Sequence, residues 1–206
     1  MHFAFHIWIG NCMSNRVILV VGTPCVGKTS VARLLASRLS ALYVNLTELA
    51  VNENLVSGVD EERGSAVVDE VRMQRKISGI IENAGKDVVV DGHYAASVVP
   101  KRFVTCAFVL RRDPVELRGF MEKAGFSGRK LWENLAAEIL DVCLFEAVKA
   151  YGIAKVCELN VTGKSVECVV REILDVIDGR VKCRIGVVDW LGKLESEGLL
   201  DDYLRI

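Results

Sequence analysis

The sequence predicts an α/β fold of three layers, in which a parallel sheet carries helices on both faces. Two observations lead to this prediction. Short runs rich in β-branched residues, apolar throughout, alternate along the chain with longer segments of helical periodicity. Strands without polar alternation are buried on both faces, as in parallel sheets. The 206 residues, 51% of them hydrophobic and 26% charged, are enough for one globular domain with its own core.

The strands are predicted from apolar runs that end at turn residues or charged residues. In chain order these runs are RVILVV (16–21), ALYVNL (41–46), DVVVDG (87–92), FVTCAFVLR (103–111) and AKVCELNV (154–161).

The helices are predicted from apolar residues spaced three and four apart, and from glycines that stop them. They are expected at 29–40, at 67–85 with Gly85 as a C-cap, at 128–152 ending at Gly152, at 165–177, and at 189–204 with a break near Gly198.

Charge and hydropathy limit the classes of partner. The formal net charge of −1 provides no overall basic field for nucleic acid, although a local basic patch stays compatible with it. No apolar run approaches the length of about 20 residues that spans a membrane, so no membrane partner is expected.

The chain is expected to divide into an N-terminal extension (1–15), one nucleotide-binding domain (16–182) and a helical tail (183–206). The extension carries no Lys or Arg before Arg16 and therefore lacks the charged start of a signal peptide. We expect translation to begin at Met13, which would place the first strand almost at the N-terminus. The alternative is an ordinary segment that packs on the sheet.

The seven cysteines are expected to be reduced thiols. They are Cys12, Cys25, Cys106, Cys143, Cys157, Cys168 and Cys183. Their number is odd and no two are spaced as CxxC, so neither a disulfide framework nor a zinc site is predicted.

A phosphate-binding loop is predicted where the first strand meets the first helix. GTPCVGKTS (22–30) fits G-x-x-x-x-G-K-[ST] through Gly22, Gly27, Lys28 and Thr29. Glycines allow the backbone to approach phosphate, and the N–H groups at a helix start attract its oxygens. Lys28 is expected to reach the β- and γ-phosphates, and Thr29 to bind Mg²⁺. The strand before and the helix after this motif support ATP binding.

Cys25 lies inside this loop and has two interpretations. Its thiol lies near a helix N-terminus and a lysine, which would lower its pKa and make it reactive. The simpler interpretation, which we favour, is that a small residue fits the loop and contributes its backbone N–H to the phosphates.

A second candidate cluster follows the third strand. VVVDGHY (88–94) puts Asp91 at the carboxyl end of an apolar strand, the edge at which open α/β sheets bind ligands. Asp91 is expected to hold Mg²⁺ or its water, and His93 to position a water or relay a proton. The alternatives are a loop carboxylate or helix N-cap for Asp91 and a structural histidine for His93.

The chain resembles the adenylate kinase isoenzyme 6-type NTPases over roughly residues 16–178. The resemblance is carried by GTPCVGKTS, YVNLTELA, VVVDGHY and the segment from LRRDPVELRGF to VKAYG, in this order. The Asp-x-His after the third strand and GFSGRKLWENLAAEI are unusual among P-loop kinases. The sequence around VVDWL in the tail is similar to the archaeal branch.

This resemblance implies an adenylate-kinase-like P-loop NTPase fold with a small nucleoside-monophosphate (NMP) region at about 45–68 and a short lid at about 123–133. It implies Mg²⁺-dependent AMP phosphorylation and ATP hydrolysis, with catalytic residues Lys28, Asp91 and His93. It also implies ATP contacts from Cys25 and Ser30, and NMP contacts from Asn45 and Glu48.

The same resemblance implies a cellular role in small-subunit rRNA maturation. The implied partner is a small-subunit ribosomal protein of the uS11 type, with indirect contact to pre-ribosomal RNA. The implied location is the cytoplasm for an archaeal protein and the nucleus for a eukaryotic one.

The lid departs from the family pattern. Ala124 stands where the family has an arginine that would contact ATP phosphates. Lys123, Arg129 and Lys130 are candidate substitutes or solvated surface charges. Arg111 or Arg112, at the end of the fourth strand, either reaches a phosphate or lies on the surface.

Three functions therefore stay open at this point. The first is an adenylate kinase with slow ATP hydrolysis. The second is an assembly factor whose affinity for a ribosomal protein changes with ATP binding and hydrolysis. The third is a kinase for another small metabolite. The departure at Ala124 favours the second over the first. A GTPase is not expected, because the guanine-reading Asn-Lys-x-Asp motif does not occur.

Overall fold

The computed structural model describes residues 15–60 and 65–205, and it has the predicted three-layer α/β architecture. The strands are β1 (Val17–Val21), β2 (Leu42–Asn45), β3 (Val56–Asp60), β4 (Ser65–Val68), β5 (Val88–Asp91), β6 (Cys106–Arg111) and β7 (Val156–Asn160). In this part of the chain, five strands form a sheet in the order β2-β5-β1-β6-β7, with every pairing parallel. The antiparallel pair β3–β4 is separate from that sheet.

Helices cover both faces of the sheet. They are α1 (Lys28–Leu39), α2 (Leu46–Asn52), α3 (Glu70–Glu82), α4 (Ala95–Val98), α5 (Pro114–Lys123), α6 (Gly128–Ile139), α7 (Val142–Tyr151), α8 (Val166–Ile177), α9 (Trp190–Ser196) and α10 (Leu200–Tyr203). A short 3-10 turn, Ile153–Lys155, leads into β7.

Two apolar cores lie on the two faces, because successive strand residues point in opposite directions. On β1, Ile18 and Val20 join the core formed with α1, α5, α6 and α8. Val17, Leu19 and Val21 join the opposite core with α2, α3, α4 and α7. All five residues of β1 are buried, which confirms the interpretation of apolar runs as strands covered on both sides.

The predicted single helix at 128–152 is wrong, because the chain breaks between α6 and α7. Asp141 adopts a left-handed conformation with φ 58°. Its carboxylate accepts a hydrogen bond from Arg111 Nη2 at 2.5 Å. The prediction therefore missed a turn whose side chain contacts a residue distant in sequence.

The predicted helix at 67–85 is too long at both ends, and its C-cap is Asn83 rather than the predicted Gly85. Val67 and Val68 belong to β4, and α3 begins at Glu70, where the Asp69 side chain accepts from Arg72 N at 3.0 Å as an N-cap. The region predicted to bind the acceptor nucleotide therefore contains α2 and the β3–β4 pair. Helices α2, α4 and α5 were not predicted.

The cysteine prediction is wrong for one pair. Cys157 on β7 and Cys183 form a disulfide, with Cα atoms 5.0 Å apart. Their separation of 26 residues carries no signature in the sequence, and the fold brings them together by returning the chain after α8 to the edge strand β7. Cys25, Cys106, Cys143 and Cys168 are free thiols.

Two further predictions concern the ends and the surface of the chain. Residues 1–14, including the proposed start at Met13, lie outside the described residues. Within the described ranges, the structure contains no helix with the length and apolar character needed to cross a membrane.

Candidate active site

The loop between β1 and α1 has the backbone geometry of a phosphate cradle. Gly22 has φ 139°, and a Cβ there would lie 2.5 Å from the carbonyl oxygen of Leu110, so a side chain is excluded. Gly27, the N-cap of α1, has φ 105°. The positive φ angles at these two positions account for the two glycines of the motif. The loop between them connects the carboxyl end of β1 to the N-terminus of α1.

Lys28 is buried at the base of this loop. Its Nζ donates to the backbone oxygen of Thr23 at 2.8 Å. Burial lowers the pKa of the Lys28 ammonium from its ordinary value, and the nearby carboxylate of Asp91 opposes that shift. The structure therefore holds a cation beside the predicted phosphate position with little competition from water.

Asp91 lies at the carboxyl end of β5, 1% exposed, and links three elements. Its Oδ2 accepts from Thr29 Oγ1 at 2.7 Å, from Asn45 Nδ2 at 2.8 Å and from Tyr43 Oη at 3.0 Å. The pairing of Val20 with Asp91 sets this carboxylate beside the phosphate loop. The sequence analysis named Thr29 and Asn45 but missed Tyr43, although it precedes Asn45 by two residues on the same face of β2.

His93 lies just after β5, in the wall of the cavity. The residue as a whole is exposed to solvent. Its imidazole ring nevertheless packs edge-on against the ring of Tyr94, with the ring centroids 4.8 Å apart. Burial of the imidazole, with a contribution from the Lys28 charge, lowers the pKa of His93 to about 4. His93 is therefore a neutral imidazole near pH 7, able to accept a hydrogen bond.

Cys25 has a left-handed conformation with φ 67° and is half-buried in the loop. Burial raises the pKa of its thiol, and the opposing effect of the Lys28 charge is smaller. This direction is opposite to the lowered pKa expected of a reactive thiolate, so the interpretation of Cys25 as a residue that fits the loop stays the favoured one. Ser30, next to the motif, is exposed on α1.

A cavity of about 860 Å³ opens beside Lys28 and Asp91. Its polar lining includes Lys28, Thr29, Asn45, Thr47, Asp91, His93, Lys130, Glu133 and Asn134, and its apolar lining includes Phe126, Ala136, Ala137, Leu140 and Val142. A lining that combines charged and apolar groups suits a ligand with a charged group and a flat apolar body.

The predicted lid residues differ in where they lie. Lys130 lines the cavity, with its Nζ 5.6 Å from the ring centroid of Phe126. Arg129 pairs instead with Glu133 at 2.7 Å, and Lys123 is exposed in the last turn of α5. Of the cations weighed in the sequence analysis, the structure therefore brings Lys130 to the cavity rather than Lys123 or Arg129.

The two residues predicted to contact the NMP, Asn45 and Glu48, have different surroundings. The side chain of Asn45 bonds Asp91 and accepts from Glu48 N at 2.9 Å, so it caps α2 as well. The carboxylate of Glu48 pairs with Arg33 at 2.9 Å on the exposed surface.

Neither expectation for Arg111 holds, because this residue is 1% exposed and is bound by carboxylates. Arg112 stays close to the loop, where its Nε donates to the carbonyl of Val26 at 3.3 Å and its guanidinium pairs with Glu116. The two guanidinium groups are thus paired with carboxylates of α5, α6 and β7.

Comparison with known proteins agrees with this architecture. Residues 18–141 match the AAA domain family. A protein of Pyrococcus furiosus named "Putative adenylate kinase" is 38% identical over 192 residues, which cover 92% of this chain and 98% of that protein. A protein of the same name from Methanocaldococcus jannaschii is 36% identical over 176 residues, covering 85% and 93%.

A solved structure is similar in fold. Shikimate kinase from Acinetobacter baumannii matches with a TM-score of 0.61 at 15% identity, over 82% of this chain and 96% of that one. At this identity the likeness concerns the three-layer architecture alone.

Proposed function

We propose a function from one premise: the chain belongs to the AAA domain family and to the family of the archaeal relatives described above. The proposed function is that of a nucleotide kinase, which transfers the γ-phosphoryl group of ATP to AMP and forms two ADP. Slow hydrolysis of ATP would accompany this reaction. The observation that carries the proposal is the convergence of Lys28, Thr29 and Asp91 in the wall of one cavity.

The donor set at Asp91 fits a magnesium ion. Thr29 and Asp91 provide a hydroxyl and a carboxylate oxygen 2.7 Å apart, and hard oxygen ligands of this kind suit Mg²⁺. We infer that these two residues would hold the ion together with the phosphates. When bound, the ion would neutralise charge on the β- and γ-phosphate oxygens.

The chain's own residues would act by positioning and by charge. Backbone N–H groups at the start of α1 would bind phosphate oxygens, and Lys28 would neutralise the charge that shifts during transfer. In the hydrolysis reaction, the neutral ring of His93 would accept a hydrogen bond from the attacking water and orient it. A pKa of about 4 makes His93 a weak base at pH 7, so we assign it orientation rather than storage of the proton.

The test is a coupled assay of ADP formation with Mg²⁺ and ATP, in the presence and absence of AMP. We expect AMP to raise ADP formation well above the rate with ATP alone. If ADP formation does not depend on AMP, the kinase proposal is contradicted.

A second candidate is a kinase with another small acceptor. It is favoured by the lid region, where Lys130 lines the cavity while Ala124 is exposed and is not among the lining residues. Replacing AMP in the assay with hydroxyl-bearing metabolites distinguishes the two. Turnover with one of them while AMP is inert would favour this candidate.

The cellular role follows from the resemblance alone. We propose that ATP binding and hydrolysis change the affinity of the chain for a ribosomal protein of the uS11 type in the cytoplasm. Such a switch requires different affinities in the two nucleotide states. Capture of the purified ribosomal protein should therefore differ between ATP and ADP, and capture that is absent or equal in both would contradict the proposal.

A further inference from the structure

A buried charged cluster lies beneath the phosphate loop. Arg111 at the end of β6 donates from Nε to Glu138 Oε1 at 2.9 Å and from Nη1 to Glu158 Oε1 at 2.7 Å. All three side chains are at most 1% exposed. Asp141 also accepts from Arg111, but its side chain is 48% exposed and partly solvated.

Glu138 ties this cluster to the loop that holds Lys28. Its Oε2 accepts from Thr23 Oγ1 at 2.5 Å, and its Oε1 accepts from the backbone N–H of Arg112 at 3.1 Å. The backbone oxygen of the same Thr23 accepts from Lys28 Nζ. A shift of Glu138 would therefore move both the loop and the lysine.

The C-terminal tail contributes to the same cluster. The indole Nε1 of Trp190, the first residue of α9, donates to Glu138 Oε1 at 3.1 Å. The backbone N–H of Val187 donates to Glu158 Oε2 at 2.8 Å. Trp190 is 6% exposed, and Lys193 one turn later pairs with Asp113 before α5.

The charges explain why these donors matter. Two fully buried carboxylates face one guanidinium, and the more distant Lys28 ammonium offsets only part of the charge on Glu138. A buried charge that is incompletely paired is costly unless hydrogen-bond donors surround it. Thr23 and Arg112 supply such donors from the loop region, and Trp190 and Val187 supply them from the tail.

We propose that Trp190 is a positioning residue for nucleotide binding, which holds Glu138 and, through Thr23, the phosphate loop. The tail that the sequence separated from the nucleotide-binding domain is thus a supporting layer of the site. This inference rests on the proposed function, since it concerns the binding of ATP.

The test compares Trp190→Phe with the matched tail variant Leu191→Ala. The first change keeps an aromatic ring in the core but removes the N–H donor, and the second trims an exposed neighbour that is 39% accessible. Part of the energy of this hydrogen bond to a charged group should reach the phosphate loop, so we expect the Kd for Mg·ATP to rise by about three- to tenfold in Trp190→Phe. Leu191→Ala should keep the wild-type Kd.

A double-mutant cycle separates positioning from a general loss of stability. Thr23→Val removes the hydroxyl that meets Glu138, and combined with Trp190→Phe it should weaken ATP binding by less than the product of the single effects. Additive effects, or a lower melting temperature of Trp190→Phe with unchanged Kd and KM, would overturn the proposal. Failure of the wild-type chain to bind ATP would instead refute the proposed function.

A measurement on the wild-type chain keeps the proposal testable if Trp190→Phe does not fold. Coupling between two sites is reciprocal, so ATP must stabilise the docked tail if the docked tail favours ATP. Hydrogen exchange at the amides of α9 should slow when Mg·ATP is added. Equal exchange rates with and without nucleotide would overturn the inference.

Discussion

Replacing Lys28 with methionine should separate the stability of the fold from its function. Lys28 is buried, and its Nζ makes one hydrogen bond, to the backbone oxygen of Thr23. That oxygen also accepts from Val26 N at 3.4 Å, so it keeps a partner in the variant. Methionine has a similar length and no charge to desolvate.

The magnitude follows from two opposing terms. Losing a hydrogen bond from a charged donor costs about 1.5–3 kcal/mol. Removing a buried ion recovers several kcal/mol of desolvation, part of which the Asp91 carboxylate already offsets in the wild type. We therefore expect the free energy of unfolding of Lys28→Met to stay within about 2 kcal/mol of wild type.

The stability difference should depend on pH in one direction. Burial puts the folded pKa of Lys28 below its ordinary value of 10.5, so between these two values the unfolded chain binds more protons. The free energy of unfolding of the wild type then rises with pH relative to the variant. Any stability advantage of Lys28→Met should shrink as pH rises toward 10.5.

The assays are urea unfolding at several pH values and calorimetric titration with Mg·ATP. Lys28→Met should lose at least about tenfold in ATP affinity, equal to about 1.4 kcal/mol, and all measurable turnover. Lys86→Met is the matched control, because Lys86 is exposed in the turn before β5, at the opposite end of the sheet. A variant that unfolds more easily by over about 2 kcal/mol, or binds ATP normally, would refute this reasoning.

Three further predictions concern the loop, the histidine and the lid. Gly22→Ala should destabilise the chain by more than about 2 kcal/mol, because its Cβ would lie 2.5 Å from the Leu110 oxygen at φ 139°; an unchanged melting curve would contradict this. His93→Ala should keep the Kd for ATP but slow ATP hydrolysis by about tenfold or more, and equal hydrolysis rates would remove His93 from the mechanism. Ala124→Arg should raise AMP phosphorylation in the coupled assay, since it places a cation at the exposed C-cap of α5; no increase would count against the lid argument.

The sequence was sufficient where local pattern and burial agree. The run at 16–21 could be a strand covered on both faces because each of its β-branched and leucine side chains is apolar, and β1 is buried throughout. The motif around Gly22 and Lys28 was recognisable because phosphate loops need backbone conformations that favour glycine at these positions. The position of Asp91 followed from the rule that ligands bind at the carboxyl ends of parallel strands.

The sequence was insufficient where distant residues set the geometry. The left-handed residue Asp141 contacts Arg111, thirty positions away, and helical periodicity through 128–152 did not reveal the turn. The β3–β4 pair lies outside the main sheet and lacks a long apolar run. The order of the strands in the sheet was not predicted either, since periodicity gives elements and not their neighbours.

One signal for the buried cluster was present and was overlooked. Glu138 continues the apolar stripe of Leu131 and Leu135 at helical spacing, and Glu158 stands inside the apolar run of β7. A carboxylate at a core position calls for a buried partner, and Arg111 closes another buried strand. Charged residues of opposite sign at core positions of a sequence therefore predict a buried ion pair between them.

The most direct test of the central claim is calorimetric titration of the wild-type chain with ATP, with Mg²⁺ and again with EDTA. The account predicts one binding site per chain, tighter with Mg²⁺ than without it, because Thr29 and Asp91 are assigned to the ion and Lys28 to the phosphates. Absence of binding under both conditions, or equal affinity with and without Mg²⁺, would contradict it.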